Sequence, residues 1–258
     1  VEECLEYFKQ HKSIAVDTET QGKDPHSDKI LCLQIGDALH QWVIDCRTVS
    51  ILLFKELLGS KLCIIHNFSF DYKFLKKAGI VLTKVWDTCI TEAILYRGYQ
   101  KVGYSLSAVC DRYCGVNLDK TTRGEFHTIT NEPFTDTQIE YASLDVKYLH
   151  EIAKEQWRKA SIQNTLNSVL EDNKALLAYA DMEYYGNKVD VVKWSKNTLK
   201  NKERLIELKL KLDDFVLKEP NLCNFLKFTE IDLFNPTMSL KPNINWASPV
   251  QVKSAFNA

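Results

Sequence analysis

At 258 residues, with 45% apolar and 26% charged side chains, the chain can bury a sizeable core as one large domain or two modest ones. Its formal net charge of −1 excludes a global pull toward nucleic acid, so any site for a polyanion has to be local. No apolar stretch is long enough to span a bilayer, and the N-terminal VEECLEYFKQ is not a signal peptide.

In chain order, 13–16, 30–35 and 40–44 predict three successive strands, the last pair joined by a short Gly-Asp turn. ILLFKELL (51–58) has helical spacing and should stop at Gly59. KLCIIH (61–66) is a short buried strand running into FSFDYKFLKKAG, a helix with Phe70, Phe74 and Leu75 on one face. WDTCITEAILY (86–96) and SLSAVCDRYCG (105–115) predict two more helices. The next begins at Thr135, where TDTQ is a capping-box pattern, and its apolar spacing runs on to about residue 157. This order of strands and helices predicts an α/β domain over residues 1–165.

From 166 to 258 the pattern is mainly helical. Residues 191–219 predict one long amphipathic helix with eight basic and five acidic side chains. Such a run reads first as a solvated helix and second as an arm whose basic face meets a nucleic-acid backbone. The tail FNPTMSLKPNINWASP is loop-like, and PVQVKSAFNA reads as a helix start without a stop signal, so a longer parent chain is expected. The eight cysteines are scattered, several in apolar runs, and read as small buried hydrophobes of a reducing compartment. Cys110 and Cys114, with His127 downstream, lack the second close pair of a zinc site.

The acids carry the functional signal. Asp17 and Glu19, in SIAVDTETQG, stand where a buried strand should end. Asp71 lies just inside a helix that follows a buried strand, a position the helix dipole alone favours. Asp145 lies in an apolar helix among Leu144, Val146 and Leu149, with Tyr141 four residues earlier on the same face. A carboxylate among aliphatics is costly unless a cation or strong donor satisfies it. Four acids on three elements form a donor set suited to hard divalent cations such as Mg²⁺ or Mn²⁺.

VDTET, HNFSFDYKFL and YASLDVKYL, in that order, resemble the three exonuclease motifs of the DEDD superfamily. The Tyr-x-x-x-Asp spacing of the third resembles the tyrosine subclass, which includes the proofreading domains of family A (polymerase I-like) DNA polymerases and the ribonuclease D-like RNA trimmers. The resemblance covers residues 13 to 157. It implies a ribonuclease H-like mixed sheet flanked by helices. It also implies a 3′-5′ exonuclease in which Asp17, Glu19, Asp71 and Asp145 hold two divalent cations and Tyr141 positions the attacking water. Asp17 would bridge both ions, Glu19 and Asp145 would hold one, and Asp71 would act mainly through the waters of the other.

Substrate contacts follow the same resemblance. Asn67 and Phe70 match positions that touch the terminal nucleotides, Phe70 reading equally well as core, and Thr18 would offer its backbone to the 3′ end. Lys23 replaces a leucine wedge found in many relatives and suits a phosphate instead; Arg123, in KTTRGEF, reads first as a solvated arginine and second as a further phosphate contact. Asp87 matches a recurring Asp-Thr that is no metal ligand and reads as a helix N-cap.

Beyond the nuclease, LEDNKALLAYADMEYYGNKVDVVKW and INWASPVQVKSAF resemble the start of a polymerase I-like thumb. The expectation is therefore the proofreading part of a bacterial or bacteriophage-type polymerase, acting on single-stranded or frayed DNA 3′ ends in a reducing, nucleic-acid-containing compartment, with no membrane partner. The alternatives are a stand-alone RNA-trimming exonuclease and an inactive binding or scaffolding module, the latter disfavoured because all four acids and Tyr141 are present.

Overall fold

The computed structural model describes residues 1–118, 132–228 and 239–257, which divide into compact units at Val1–Gly186 and Asn187–Ala258. The first unit runs α1 (Glu2–Lys9), β1 (Ser13–Thr20), β2 (Ile30–Gly36), β3 (Gln41–Asp45), α2 (Lys55–Ser60), β4 (Leu62–Ile65), α3 (Phe68–Lys77), β5 (Lys84–Asp87), α4 (Thr88–Leu95), α5 (Leu106–Cys114), α6 (Asp136–Lys147), α7 (Leu149–Ile162) and α8 (Leu166–Tyr185). The five strands form one sheet in the order β3-β2-β1-β4-β5. β2 runs antiparallel to both β1 and β3, whereas β4 and β5 run parallel to β1. That mixture brings the C-terminal ends of β1, β4 and β5 to one edge, where side chains from three connections can meet.

Strand alternation divides the core. Ile14, Val16, Leu33, Ile35, Cys63 and Ile65 bury one face against Phe8, Phe54, Leu58, Phe68 and Leu75 from the helices and the turn before α2. On the other face, Ala15, Ile64 and Trp86 pack with Val109, Val146, Leu149 and Ile152, and Leu31 and Cys32 pack with Ala142 of α6.

Four expected features differ. β5 is a strand where the sequence suggested that helix 86–96 had begun; its four residues bury only Val85, Trp86 and Asp87, too short a run to show a period. The helix from Thr135 breaks at Tyr148, whose φ −98° and ψ −7° end α6 and start α7, while the apolar stripe continues across the break. α2 passes through Gly59 to Ser60. Finally, the first unit extends past 165, because Val169 and Ala180 of α8 are buried in its core. Asn173 on the same helix accepts the Asp87 backbone N–H at 2.6 Å and donates to Thr91 Oγ1 at 3.1 Å.

The second unit holds α9 (Val191–Lys218), a short antiparallel pair β6 (Leu226–Phe228) and β7 (Leu240–Pro242), and α10 (Pro249–Phe256). Its core is small, with Val216, Leu222 and Ile244 buried against Phe225, Leu226 and Trp246.

Candidate active site

Asp17 and Glu19 are two residues apart on β1 and therefore project from the same sheet face. α6 packs over β1, β2 and β3, and on its second and third turns it carries Tyr141 and Asp145. The helix starts at a reciprocal capping box, in which the Thr135 side chain accepts the Gln138 N–H at 3.3 Å and Gln138 Oε1 accepts the Thr135 N–H at 3.0 Å. This anchors the register that aims Asp145 at the strand acids. One carboxylate oxygen from each of Asp17, Glu19 and Asp145 lies within 4.8 Å of the other two. All three residues are half-buried. Three mutually repelling carboxylates at that spacing form a hard-oxygen donor set that fits a divalent cation.

Asp71 stands outside this trio. It sits in the first turn of α3, fully buried, and its Oδ1 accepts both the Thr18 backbone N–H at 3.0 Å and the Thr18 hydroxyl at 2.6 Å. Burial pushes its carboxyl up to about 7, against the opposing pull of the two Thr18 donors. Thr18 thus ties the acid of α3 to the strand that carries Asp17 and Glu19.

The backbone leading into Asp71 is itself held. Asn67 adopts φ +69°, a left-handed conformation that asparagine tolerates better than most residues. The Asp87 carboxylate accepts the N–H groups of Asn67 at 3.1 Å and Phe68 at 2.9 Å, and also those of Cys89 at 2.7 Å and Ile90 at 3.2 Å. Asp87 is therefore the N-cap of α4 and also fixes the entry to α3, a second role the sequence did not reveal.

These groups open into one cleft of about 820 Å³. Asp17, Glu19, Asp71, Tyr141 and Asp145 line it, as do Thr18, Lys23, Asn67 and Phe70. Phe70 is half-buried with its ring centroid 5.2 Å from that of Phe74, so one face packs on the helix while the residue still borders the cleft. Arg123 and His127 lie outside the described residues.

Sequence reasoning missed the other walls, among them His66, Cys89 and the segment from Tyr104 to Ser107. His66 Nδ1 lies 2.9 Å from Thr88 Oγ1, whose hydroxyl donates to the Ile65 carbonyl at 3.3 Å. The Tyr104–Ser107 wall ends at the N-terminus of α5, where Ser105 caps Ala108. That cap was readable from Ser-Leu-Ser before an apolar run, but its position at the cleft was not.

A family model described as 3′-5′ exonuclease matches residues 1–161. DNA polymerase I of Aquifex aeolicus (strain VF5) is 31% identical over 138 residues, which is 53% of this chain and 22% of that one. The chain thus spans about a fifth of the length of that relative. Among solved structures, Brucella melitensis NrnC aligns with a TM-score of 0.63 at 25% identity, covering 72% of this chain and 93% of NrnC. NrnC has also been solved bound to pGG and with bound Mg²⁺. Escherichia coli RNase D, an exoribonuclease involved in structured RNA processing, aligns with a TM-score of 0.60 at 24% identity, covering 69% of this chain and 47% of that one.

Proposed function

The chain belongs to the 3′-5′ exonuclease family, on a ribonuclease H-like fold, and on that premise we propose that it hydrolyses the terminal phosphodiester of DNA 3′ ends, releasing 5′-mononucleotides, as the proofreading part of a family A DNA polymerase. The observation that carries the reading is the carboxylate trio of Asp17, Glu19 and Asp145 within 4.8 Å, in one cleft with Asp71 and Tyr141. Its identity to a DNA polymerase I supports DNA as the substrate.

Two divalent cations, Mg²⁺ or Mn²⁺, would supply Lewis acidity to the attacking water and the leaving 3′-oxygen. Asp17, Glu19 and Asp145 would hold them directly, with Asp71 completing the set from behind Thr18. The Tyr141 hydroxyl, on the helix face of Asp145, orients the water for in-line attack without ionising. Asn67 and Phe70 border the cleft where a terminal nucleotide would lie, and Lys23 offers its ammonium to a phosphate. Thr18, with its N–H and hydroxyl already given to Asp71, would offer the 3′ end only its carbonyl.

A second reading has an observation of its own. The likeness to NrnC covers 93% of that protein, against 22% of the polymerase, which favours trimming of RNA or short oligonucleotides by a ribonuclease D-like enzyme. Digestion of end-labelled single-stranded DNA, RNA of the same sequence, and a mismatched primer–template, each with Mg²⁺ or with chelator, separates the two. Faster release from DNA and from the mismatched terminus supports proofreading. Preference for RNA overturns it in favour of trimming, and release that persists in chelator defeats both.

A further inference from the structure

We propose that Gln34 is a positioning residue for Asp17, its side-chain amide serving the carboxylate when the trio holds a cation. The inference rests on the reading of the trio as a metal centre. Gln34 lies within β2, in an otherwise apolar run, ILCLQIG, and is completely buried. Neither its Nε2 nor its Oε1 has a hydrogen-bond partner. A buried amide in that condition loses its hydration without compensation, and an aliphatic of similar length would suit the metal-free core better. A polar side chain in this position therefore points to a state in which it is satisfied.

The ladder identifies its neighbour. Gln34 pairs directly with Asp17 on one side and with Val43 on the other. Directly opposed side chains share a face, with Cβ atoms about 4.5–5.5 Å apart in an antiparallel pair. Gln34 therefore lies on the same face as Asp17, Glu19 and Cys32. α6 closes over it: Ala142 packs on Cys32, and Val146 crowds the backbone of Gly36, two residues along the strand. The amide is confined between the strand and α6, beside Asp17.

When a cation engages one oxygen of a carboxylate, the other gains from a fixed donor that orients it. Gln34, opposed to Asp17 in the ladder, carries the uncharged N–H that would do this once the trio holds a cation, and its burial keeps it from swinging away into water. It touches neither substrate nor reacting atoms, so its effect is on cation affinity.

The test uses Mn²⁺ alone as the probe, with the full chain and no nucleic acid. Gln34→Met, with Gln34→Leu as a second variant, is compared with the unmodified protein by calorimetric Mn²⁺ titration and by thermal unfolding in chelator. The expected result is a melting temperature in chelator equal to or above that of the unmodified chain, together with Mn²⁺ affinity reduced about 10- to 100-fold. Affinity within about twofold of the unmodified protein, or loss of stability or folding of both variants in chelator, overturns the proposal, because the amide would then serve the metal-free fold. Asp17→Ala locates the ion. If the unmodified chain binds no Mn²⁺, or Asp17→Ala binds it equally well, the metal-centre reading fails first and the proposal falls with it. If binding depends on Asp17 but not on Gln34, only the proposal fails.

Discussion

The two compact units use their apolar residues in opposite ways. In the first, the strands bury Ile14, Val16, Leu33, Ile35 and Ile65 completely, and helices cover both faces of the sheet. In the second, α9 runs for 28 residues with one buried residue, Val216, and leaves Val192 81%, Trp194 67% and Leu210 64% exposed. Exposed ion pairs such as Lys211–Glu207 and Lys218–Asp214 lie along it, where solvent screening leaves each worth little. The difference indicates which region can hold chemistry. A cluster of like charges needs a scaffold whose geometry is fixed by packing elsewhere, and among the described residues the first unit supplies it.

The largest expected effect tests whether that rigidity serves the carboxylates. Asp17→Ala with Glu19→Ala should reduce nucleotide release by about 10³-fold or more, because charge stabilisation at the phosphoryl group is lost. Thermal stability in chelator should hold or rise, since the double variant relieves repulsion among clustered acids. Undiminished release from an end-labelled strand in Mg²⁺ would dismiss the trio as the site.

Asp71 sharpens the same contrast through pH. Its folded value is raised to about 7 by burial, so the folded chain binds this proton more tightly than the unfolded chain. The sign follows: the contribution is complete below about pH 4 and is lost as pH rises toward 7, and it amounts to a few kcal/mol in the metal-free protein. Urea unfolding in chelator should show stability falling over that window, and Asp71→Asn should flatten the slope. An unchanged slope in Asp71→Asn would assign the titration to another group.

Tyr141→Phe should be milder than the double acid variant, slowing release about 10- to 100-fold, since only orientation of the water is lost. A loss as complete as that of Asp145→Ala would contradict the role given to the hydroxyl. Asp87→Ala should cost about 2 kcal/mol, the sum of two caps of about 1 kcal/mol each, by freeing the N–H groups of both α3 and α4. A cost near that of one cap would show that the hold on Asn67 and Phe68 contributes nothing.

The trio was legible because period and chemistry agreed. Asp17 and Glu19 at a spacing of two share a strand face, and Asp145 with Tyr141 at a spacing of four share a helix face. What could not be read was whatever depends on packing between elements. β5 was hidden because four residues carry no period, and the break at Tyr148 because Val146, Leu149 and Ile152 keep one stripe across it. His66 and Tyr104 reach the cleft through tertiary placement alone. Gln34 gave no signal because a single polar residue in a strand is silent until its partner strand is known.

The last expectation is the smallest change and the sharpest test of the division at Gly186. A chain of residues 1–186 keeps both sheet faces covered and every described residue of the cleft. It should unfold cooperatively and release nucleotides within about threefold of the full chain, a difference below about 1 kcal/mol. A chain stopped at Thr165, where the sequence suggested the boundary, should behave quite differently. It loses Val169 and Ala180 from two core clusters, Leu176 and Leu177 beside them, and the Asn173 bonds to the Asp87 N–H and to Thr91. Uncovering that apolar surface and orphaning a buried N–H at the end of β5 should cost several kcal/mol, enough to unfold an ordinary domain. If both truncations unfold alike, the second unit supports the first; if both remain folded and active, α8 is an appendage and the boundary returns to 165.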